Sequence, residues 1–193
     1  YRTTDETRRL AVSILEGVEV DDLDGGRDSH SFYHSLLHGP DPEIRCFETQ
    51  DEQAEAILSA LRGHELKPEA CCVIARTHRE LEAIRALLEA RRQPCYMLDS
   101  RGAATPDGAL NLATMHRAKG LEFDAVFVAS ANRGLVPLDF VVNSAADAVT
   151  RRQRENEERA LVYVSLTRAR KLAFVFGYGE MSEWFRARVE PQG

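Results

Sequence analysis

The sequence predicts an α/β protein in which helices cover both faces of a mostly parallel β-sheet. Short apolar runs, such as residues 71–76 and 125–130, alternate along the chain with amphipathic segments at helical spacing. A short run that is apolar at nearly every position is typical of a strand buried on both faces, as in a parallel sheet. Helices placed between such strands supply the crossover connections that parallel pairing requires.

The first helix is predicted over residues 1–20. Thr4 or Asp5 can cap its amino end, and Leu10, Ile14 and Leu15 recur at helical spacing. Residues 21–43 are acidic and contain several Gly and Pro residues, so this segment is expected to be a connector.

From residue 44 onward, strands and helices are predicted to alternate. The predicted strands cover residues 44–49, 71–76, 96–99, 110–115, 125–130 and 172–178. The predicted helices cover residues 51–62, 78–91 and about 153–170, with a final helix that carries Trp184 and Phe185.

Length and composition favour a cytoplasmic globular domain. The chain has 193 residues, of which 44% are hydrophobic and 29% are charged. No apolar run approaches the roughly 18 residues of a membrane span, and no signal-peptide core is present at the amino end. The four cysteines form no C-x-x-C pair and are expected to be reduced core thiols. Because the chain begins with Tyr and not Met, we expect it to be a piece of a longer protein.

Charge is distributed unevenly along the chain. Residues 1–70 carry 16 acidic and 7 basic side chains, whereas residues 71–193 carry 15 acidic and 18 basic ones. Residues 150–171 alone hold 7 basic and 3 acidic side chains. A polyanion is therefore expected to contact the C-terminal part, although such a run is also typical of a solvated helix face.

Residues 113–123, ATMHRAKGLEF, contain a Lys and a Gly in the order opposite to that of a phosphate-binding P-loop. A P-loop needs Gly-Lys-[Ser/Thr], and no Gly-Lys dipeptide occurs in the chain. At a strand end this stretch offers a hydroxyl, an imidazole and cations that suit phosphate oxygens. Glu122 offers an acceptor for ribose hydroxyls. The plainer interpretation is a solvated turn in which Gly120 supplies a positive φ.

Residues 155–171, ENEERALVYVSLTRARK, place Glu157, Leu161, Val164 and Arg168 on one helical stripe. Basic residues near the end of such a helix can simply complement its dipole. Alternatively, the rigid guanidinium of Arg168 is held in place for a phosphate. The residues alone favour the first interpretation.

A metal site is a rival hypothesis, because His30, His34 and His38 recur at intervals of four residues. Zinc sites use such pairs on helices, but Gly39-Pro40 would end a helix directly after them.

Several stretches together resemble one family, the UvrD/Rep/PcrA-like superfamily-1 DNA helicases. Residues 113–128, ATMHRAKGLEFDAVFV, resemble helicase motif V, and residues 157–170, EERALVYVSLTRAR, resemble motif VI. YRTT at residues 1–4 resembles the end of motif IV, and residues 71–98 resemble the segment that follows it.

In that family two RecA-like domains clamp ATP between them. The first carries the P-loop and the Mg²⁺ ligands, and the second carries motifs IV, V and VI. The resemblance therefore implies a P-loop NTPase fold without its P-loop, with a helix and acidic connector over 1–43 and a C-terminal RecA-like helicase domain over 44–193. The expected partners are single-stranded DNA and the N-terminal RecA-like domain of the same protein. The chain by itself is expected to be inactive, since it lacks the Walker A and Walker B motifs.

The resemblance assigns two catalytic arginines. Arg168 matches the arginine finger of motif VI, and Arg2 matches a residue that contacts the γ-phosphate of ATP. Tyr1 matches the side chain that stacks on adenine.

The remaining roles fall in motif V. The resemblance implies that Glu122 binds the ribose and that Lys119 and Gly120 shape the nucleotide-binding loop. Thr114 and His116 match residues that contact the backbone of single-stranded DNA.

One departure from the family concerns an inserted helical subdomain that usually precedes motif V. Here only residues 100–109 join the predicted strand at 96–99 to the next strand. The chain is therefore expected to belong to a minimal helicase, or to one whose accessory contacts lie elsewhere. The overall expectation is an ATP-dependent DNA helicase or translocase with 3′→5′ polarity, whose pathway is left open among DNA repair, recombination and plasmid replication. The alternative is a helicase-derived protein-interaction module that uses no nucleotide.

Overall fold

The computed structural model describes residues 3–15, 37–98 and 104–189. Its strands are β1 (Glu43–Phe47), β2 (Cys71–Ala75), β3 (Cys95–Met97), β4 (Leu110–Thr114), β5 (Phe123–Val128) and β6 (Ala169–Tyr178). Its helices are α1 (Asp5–Leu15), α2 (Gln50–Gly63), α3 (His78–Ala90), α4 (Asp139–Asn143), α5 (Ala148–Leu166) and α6 (Glu183–Arg186).

The six strands form one sheet in the order β1-β6-β5-β2-β4-β3. Every neighbouring pair is parallel, which confirms the predicted sheet type. All carboxyl ends of the strands therefore lie along one edge of the sheet, and all amino ends lie along the other. These two edges are called the carboxyl edge and the amino edge below.

Helices pack on both faces of this sheet and enclose two apolar cores. One core contains side chains of α1, α5 and α6, and the other contains side chains of α2 and α3. The neighbouring Cys71 and Cys72 point into opposite cores, as expected for consecutive strand residues. All four cysteines are free thiols.

Side-chain caps set where most of the longer helices begin. Thr49 accepts a hydrogen bond from the amide of Glu52 at the start of α2, and Thr77 caps α3 in the same way. Asp147 caps α5, so this helix begins five residues before the predicted position at 153. The Thr4 hydroxyl accepts from the amide of Thr7, and α1 therefore begins at Asp5.

The amino-terminal helix packs into the same core as the sheet. Leu10, Ala11 and Ile14 are buried there together with Ile44 of β1 and Val162 of α5. The division of the chain at residue 43 stays a prediction, because the connector before it lies largely outside the described residues.

Candidate functional site

The segment between β4 and β5 runs the length of the strands in eight residues, 115–122. It begins at the carboxyl edge and ends at the amino edge, because the strands on either side of it run in parallel. Residues 115–120 form consecutive turns along this path, and the amide of Ala118 donates to the carbonyl of Thr114 at 3.0 Å. Gly120 has a φ of +83°, a conformation that favours glycine.

Thr114 and His116 lie at the carboxyl edge. Thr114 pairs with Ala75 of β2, is only 9% exposed, and accepts a hydrogen bond from the amide of Arg117 at 3.2 Å. His116 is exposed two residues later. The imidazole is therefore more accessible to a strand of nucleic acid than the hydroxyl is.

Arg168 lies at the opposite edge, between the end of α5 and the start of β6. Its Nε donates to the carbonyl of Val164 at 3.0 Å, and its Nη1 donates to the carbonyl of Leu121 at 3.3 Å. Nη2 donates to the Thr167 hydroxyl at 3.3 Å. The side chain thus closes the carboxyl end of α5, as the helix-dipole interpretation predicts, while the half-buried guanidinium is held in one orientation.

Glu122 directly precedes β5, whose first residue, Phe123, pairs with Ala169, the residue after Arg168. The amide of Phe123 donates to the carbonyl of Arg168 at 2.9 Å. Glu122 and Lys119 are both exposed. The amino edge therefore carries Glu122 and the fixed guanidinium of Arg168, with Lys119 in the loop that leads to it.

The expectation that the polar groups of residues 113–123 lie together at a strand end is wrong. The structure divides these residues between the two edges: Thr114 and His116 lie at one, and Glu122 lies at the other. A six-residue strand such as β5 spans about 20 Å, so the two groups are separated by roughly that distance.

A buried ion pair at the carboxyl edge was missed by the sequence analysis. The Arg76 guanidinium, directly after β2, donates through Nη2 to Oε1 of Glu158 at 2.6 Å and through Nε to Oε2 at 2.8 Å. Their side chains retain 12% and 4% of their surfaces exposed. The amide of Leu138, in the loop after β5, donates to the same Oε2 at 3.1 Å.

The helical stripe predicted on α5 is not the face of the helix that is buried. Glu157 is exposed, and Leu161 and Val164 are only partly buried. The buried positions of α5 are Glu158, Val162, Ser165 and Leu166. The spacing of these four positions is helical, but it begins with a charged residue, and apolar periodicity alone does not reveal it.

Much of the basic run at residues 150–171 is used inside the fold. Arg159 donates to the carbonyl of Ile14 at 2.8 Å, and its guanidinium carbon lies 4.6 Å from the ring centroid of Trp184. Lys171 pairs with Asp124 at 2.7 Å. The charge excess of this segment is therefore a weak indication of a polyanion-binding surface.

Some predicted site residues fall outside the described part of the chain. These are Tyr1 and Arg2 of the nucleotide assignment and His30 and His34 of the metal hypothesis. His38 is described, and its Nδ1 lies 3.0 Å from Oε1 of Glu6. No group of three or more His, Cys, Asp or Glu side chains among the described residues could hold a metal ion. In the same part of the chain, no helix is both long and apolar enough to cross a membrane.

The segment that contains Thr114, His116, Glu122 and Arg168 is similar to known proteins. Residues 101–178 match the family model described as "UvrD-like helicase C-terminal domain". A DNA helicase II homologue from Mycoplasma pneumoniae is 42% identical over 76 residues, which is 39% of this chain and 10% of the relative. The ATP-dependent DNA helicase PcrA of Leuconostoc citreum is 42% identical over 69 residues, 36% of this chain and 8% of PcrA.

A third relative is the ATP-dependent DNA helicase UvrD1 of Mycobacterium bovis, 34% identical over 85 residues, 44% of this chain and 10% of UvrD1. The matches thus span about a tenth of the length of these relatives.

A solved structure is similar in fold to this chain. The C-terminal domain of a possible DNA helicase from Lactobacillus plantarum WCFS1 superimposes with a TM-score of 0.65 at 21% identity. The match covers 98% of this chain and 94% of that one. This likeness confirms the predicted RecA-like sheet, and the family match confirms the predicted resemblance. Residues 101–178 are therefore similar to UvrD-like helicase C-terminal domains.

Proposed function

We propose that this chain is the C-terminal RecA-like half of an ATP-dependent DNA helicase or translocase with 3′→5′ polarity. Arg168 is its arginine finger, and Glu122 binds the ribose of ATP. The observation that carries the proposal is the adjacency of these two residues at the amino edge, where Phe123 and Arg168 share a backbone hydrogen bond of 2.9 Å.

The groups at the amino edge fit a nucleoside triphosphate. A guanidinium has five N–H donors, and three of those of Arg168 bind Val164, Leu121 and Thr167. Two N–H groups are left over by these bonds and can reach phosphate oxygens. A guanidinium held in one orientation stabilises charge that develops on a transferring phosphoryl group without reorganising.

The rest of the nucleotide site is assigned by resemblance. Tyr1 stacks on adenine, Arg2 contacts the γ-phosphate, and Lys119 and Gly120 shape the loop beside the ribose. ATP enters with Mg²⁺, whose ligands belong to an N-terminal RecA-like domain of the same protein. That domain also supplies the P-loop, which this chain lacks.

The carboxyl edge contacts single-stranded DNA. Thr114 ends β4 and His116 is exposed beside it, so both can approach a phosphodiester backbone. Closure of the two domains on ATP and their release after hydrolysis then move the strand past these residues. The proposed role of the chain is to connect the nucleotide site at the amino edge with the DNA contacts at the carboxyl edge.

The test is Arg168→Ala in the full-length protein, with ATPase measured in the presence of a single-stranded oligonucleotide. Loss of an arginine finger lowers turnover by about 10³–10⁵-fold. Arg170→Ala is the matched control, because Arg170 is an exposed arginine two residues away. An Arg168→Ala enzyme as active as the Arg170→Ala enzyme would contradict the proposal.

A protein-interaction module without nucleotide use is the second candidate. Phe140 on α4 and Val149 on α5 are 81% and 79% exposed, and exposed large apolar residues can form part of a docking surface. Unchanged ATPase in Arg168→Ala, combined with loss of a protein partner in Phe140→Ser, would favour this alternative.

A further inference from the structure

The ion pair between Arg76 and Glu158 joins three parts of the chain at the carboxyl edge. Arg76 follows β2, Glu158 lies within α5, and Leu138 belongs to the loop after β5. Both side chains are largely buried, and the contact is bidentate. Buried ion pairs often stabilise a protein no better than apolar residues of similar size would. Their two-point geometry does, however, fix the relative positions of the elements that carry them.

On one side, this pair is connected to the residues that we place beside DNA. Arg76 directly follows Ala75, which pairs with Thr114 in the sheet. The carbonyl of Ala75 also accepts a hydrogen bond from the amide of Met115 at 3.1 Å. A displacement of Thr114 or His116 therefore reaches Arg76 through backbone hydrogen bonds and one peptide unit.

On the other side, the pair is connected to Arg168 through a continuous helix. Glu158 lies within the 19-residue helix α5, and Arg168 follows its last turn. Arg168 lies ten positions after Glu158, or about 15 Å along the chain at the rise of an α-helix. The Arg168 guanidinium binds the carbonyl of Val164 in the last turn of α5, so its position depends on that of the helix.

We infer that Glu158 is a positioning residue that couples strand binding at the carboxyl edge to the placement of Arg168 at the amino edge. This inference rests on the proposed function. Binding of single-stranded DNA to Thr114 and His116 shifts the end of β2. Arg76 moves with it and displaces the Glu158 carboxylate, and α5 carries this shift to Arg168. Glu158 itself contacts neither DNA nor nucleotide.

The test is Glu158→Gln in the full-length protein, with ATPase measured with and without an oligothymidine. The amide keeps the shape of the side chain but removes the charge that holds Arg76. Basal turnover and the KM for ATP should stay within about twofold of wild type, while DNA stimulation should fall by about 5- to 150-fold, the range of typical coupling between sites. A purely structural role would lower basal and stimulated turnover together.

Glu157→Gln is the matched control. It removes the same charge one residue earlier, where the carboxylate is exposed and accepts a hydrogen bond from Gln153 at 3.1 Å. Arg76→Lys is the conservative variant: its ammonium still binds one carboxylate oxygen and should retain intermediate stimulation. If Glu158→Gln does not fold, the DNA stimulation of Arg76→Lys tests the coupling instead.

Two results can overturn different statements. If DNA stimulates the ATPase of Glu158→Gln as strongly as that of Glu157→Gln, the coupling is refuted but the role of Arg168 is not. If Glu158→Gln does not fold, wild-type stimulation of the Arg76→Lys ATPase would refute the coupling instead. Wild-type ATPase in Arg168→Ala would refute the proposed function itself.

Discussion

The guanidinium of Arg168 and the carbonyl oxygen of Leu121 are joined by a hydrogen bond of 3.3 Å. This bond connects the end of α5 to the segment just before β5, and a second bond of the same side chain reaches Val164. The residue proposed to act on ATP therefore also holds two parts of the fold together. Its substitution should change stability as well as turnover.

Replacement of Arg168 by Ala should lower the free energy of unfolding of the 193-residue chain by about 1–3 kcal/mol, because hydrogen bonds from a charged donor are lost. Arg168→Lys should cost less, since an ammonium can still bind one carbonyl. Urea denaturation followed by circular dichroism measures the difference. Arg170→Ala, at an exposed position, should change the value by no more than about 0.5 kcal/mol. Equal losses in the two Ala variants would show that the bonds of Arg168 contribute nothing.

The 193-residue chain by itself should not hydrolyse ATP, with or without single-stranded DNA. Its sequence contains no Gly-Lys dipeptide and hence no P-loop to hold the β- and γ-phosphates. Phosphate release by the purified chain should equal the buffer background, and the Arg168→Ala chain provides the comparison for contaminating ATPase. Turnover that disappears in the Arg168→Ala chain would mean that the chain carries a complete site.

Replacement of His116 by Ala should weaken the binding of an oligothymidine by the full-length protein. Loss of one hydrogen bond to a phosphate costs about 0.5–1.5 kcal/mol, or roughly 2- to 10-fold in Kd. Thr114→Val should have a smaller effect on affinity, since Thr114 is only 9% exposed and its hydroxyl already accepts from the amide of Arg117. Fluorescence anisotropy at one fixed salt concentration measures both.

His64→Ala is the control for DNA binding. His64 is an exposed histidine that follows α2 at the amino edge, away from the proposed strand contacts. If its loss weakened binding as much as the loss of His116, the assignment of the strand to the carboxyl edge would be wrong.

Stability should fall at high pH as Tyr178 ionises. Burial, and then its hydrogen bond to the Glu80 carboxylate, raise the pKa of Tyr178 to about 12. An unfolded tyrosine has a pKa near 10, so the folded state favours the neutral phenol. The stabilisation from this group is complete below pH 10 and is lost as pH rises from about 10 to 12. Unfolding free energies of wild type and Tyr178→Phe should converge over this window, and a constant difference would contradict the assignment.

The sheet could be predicted from sequence because its strands are apolar at nearly every position. All five residues of β2 are buried, and β5 is buried at every position except Asp124. The start of α5 could not be predicted in the same way, because no residue in its first two turns is buried and only the cap at Asp147 marks it. The short helix α4 was missed for a similar reason, since only Val142 of its five residues is buried.

The candidate site was predicted less completely than the fold. Motif residues such as Glu122 and Arg168 could be named from their resemblance, but their separation from Thr114 and His116 could not. That separation depends on the direction in which residues 115–122 cross the sheet. The burial of Glu158 depends on Arg76, a residue 82 positions away, and no local pattern reveals such a contact.

The eight-residue crossing between β4 and β5 also limits how this region can be altered. An extended chain of eight residues reaches about 26–29 Å, and part of that reach is consumed by the turns over residues 115–120. Since the strands themselves span about 20 Å, little reach is left over, and deletions in this segment should disturb the register of β5. The length of this segment is therefore tightly constrained, and peptide tags or labels are better inserted at the exposed residues 106–108.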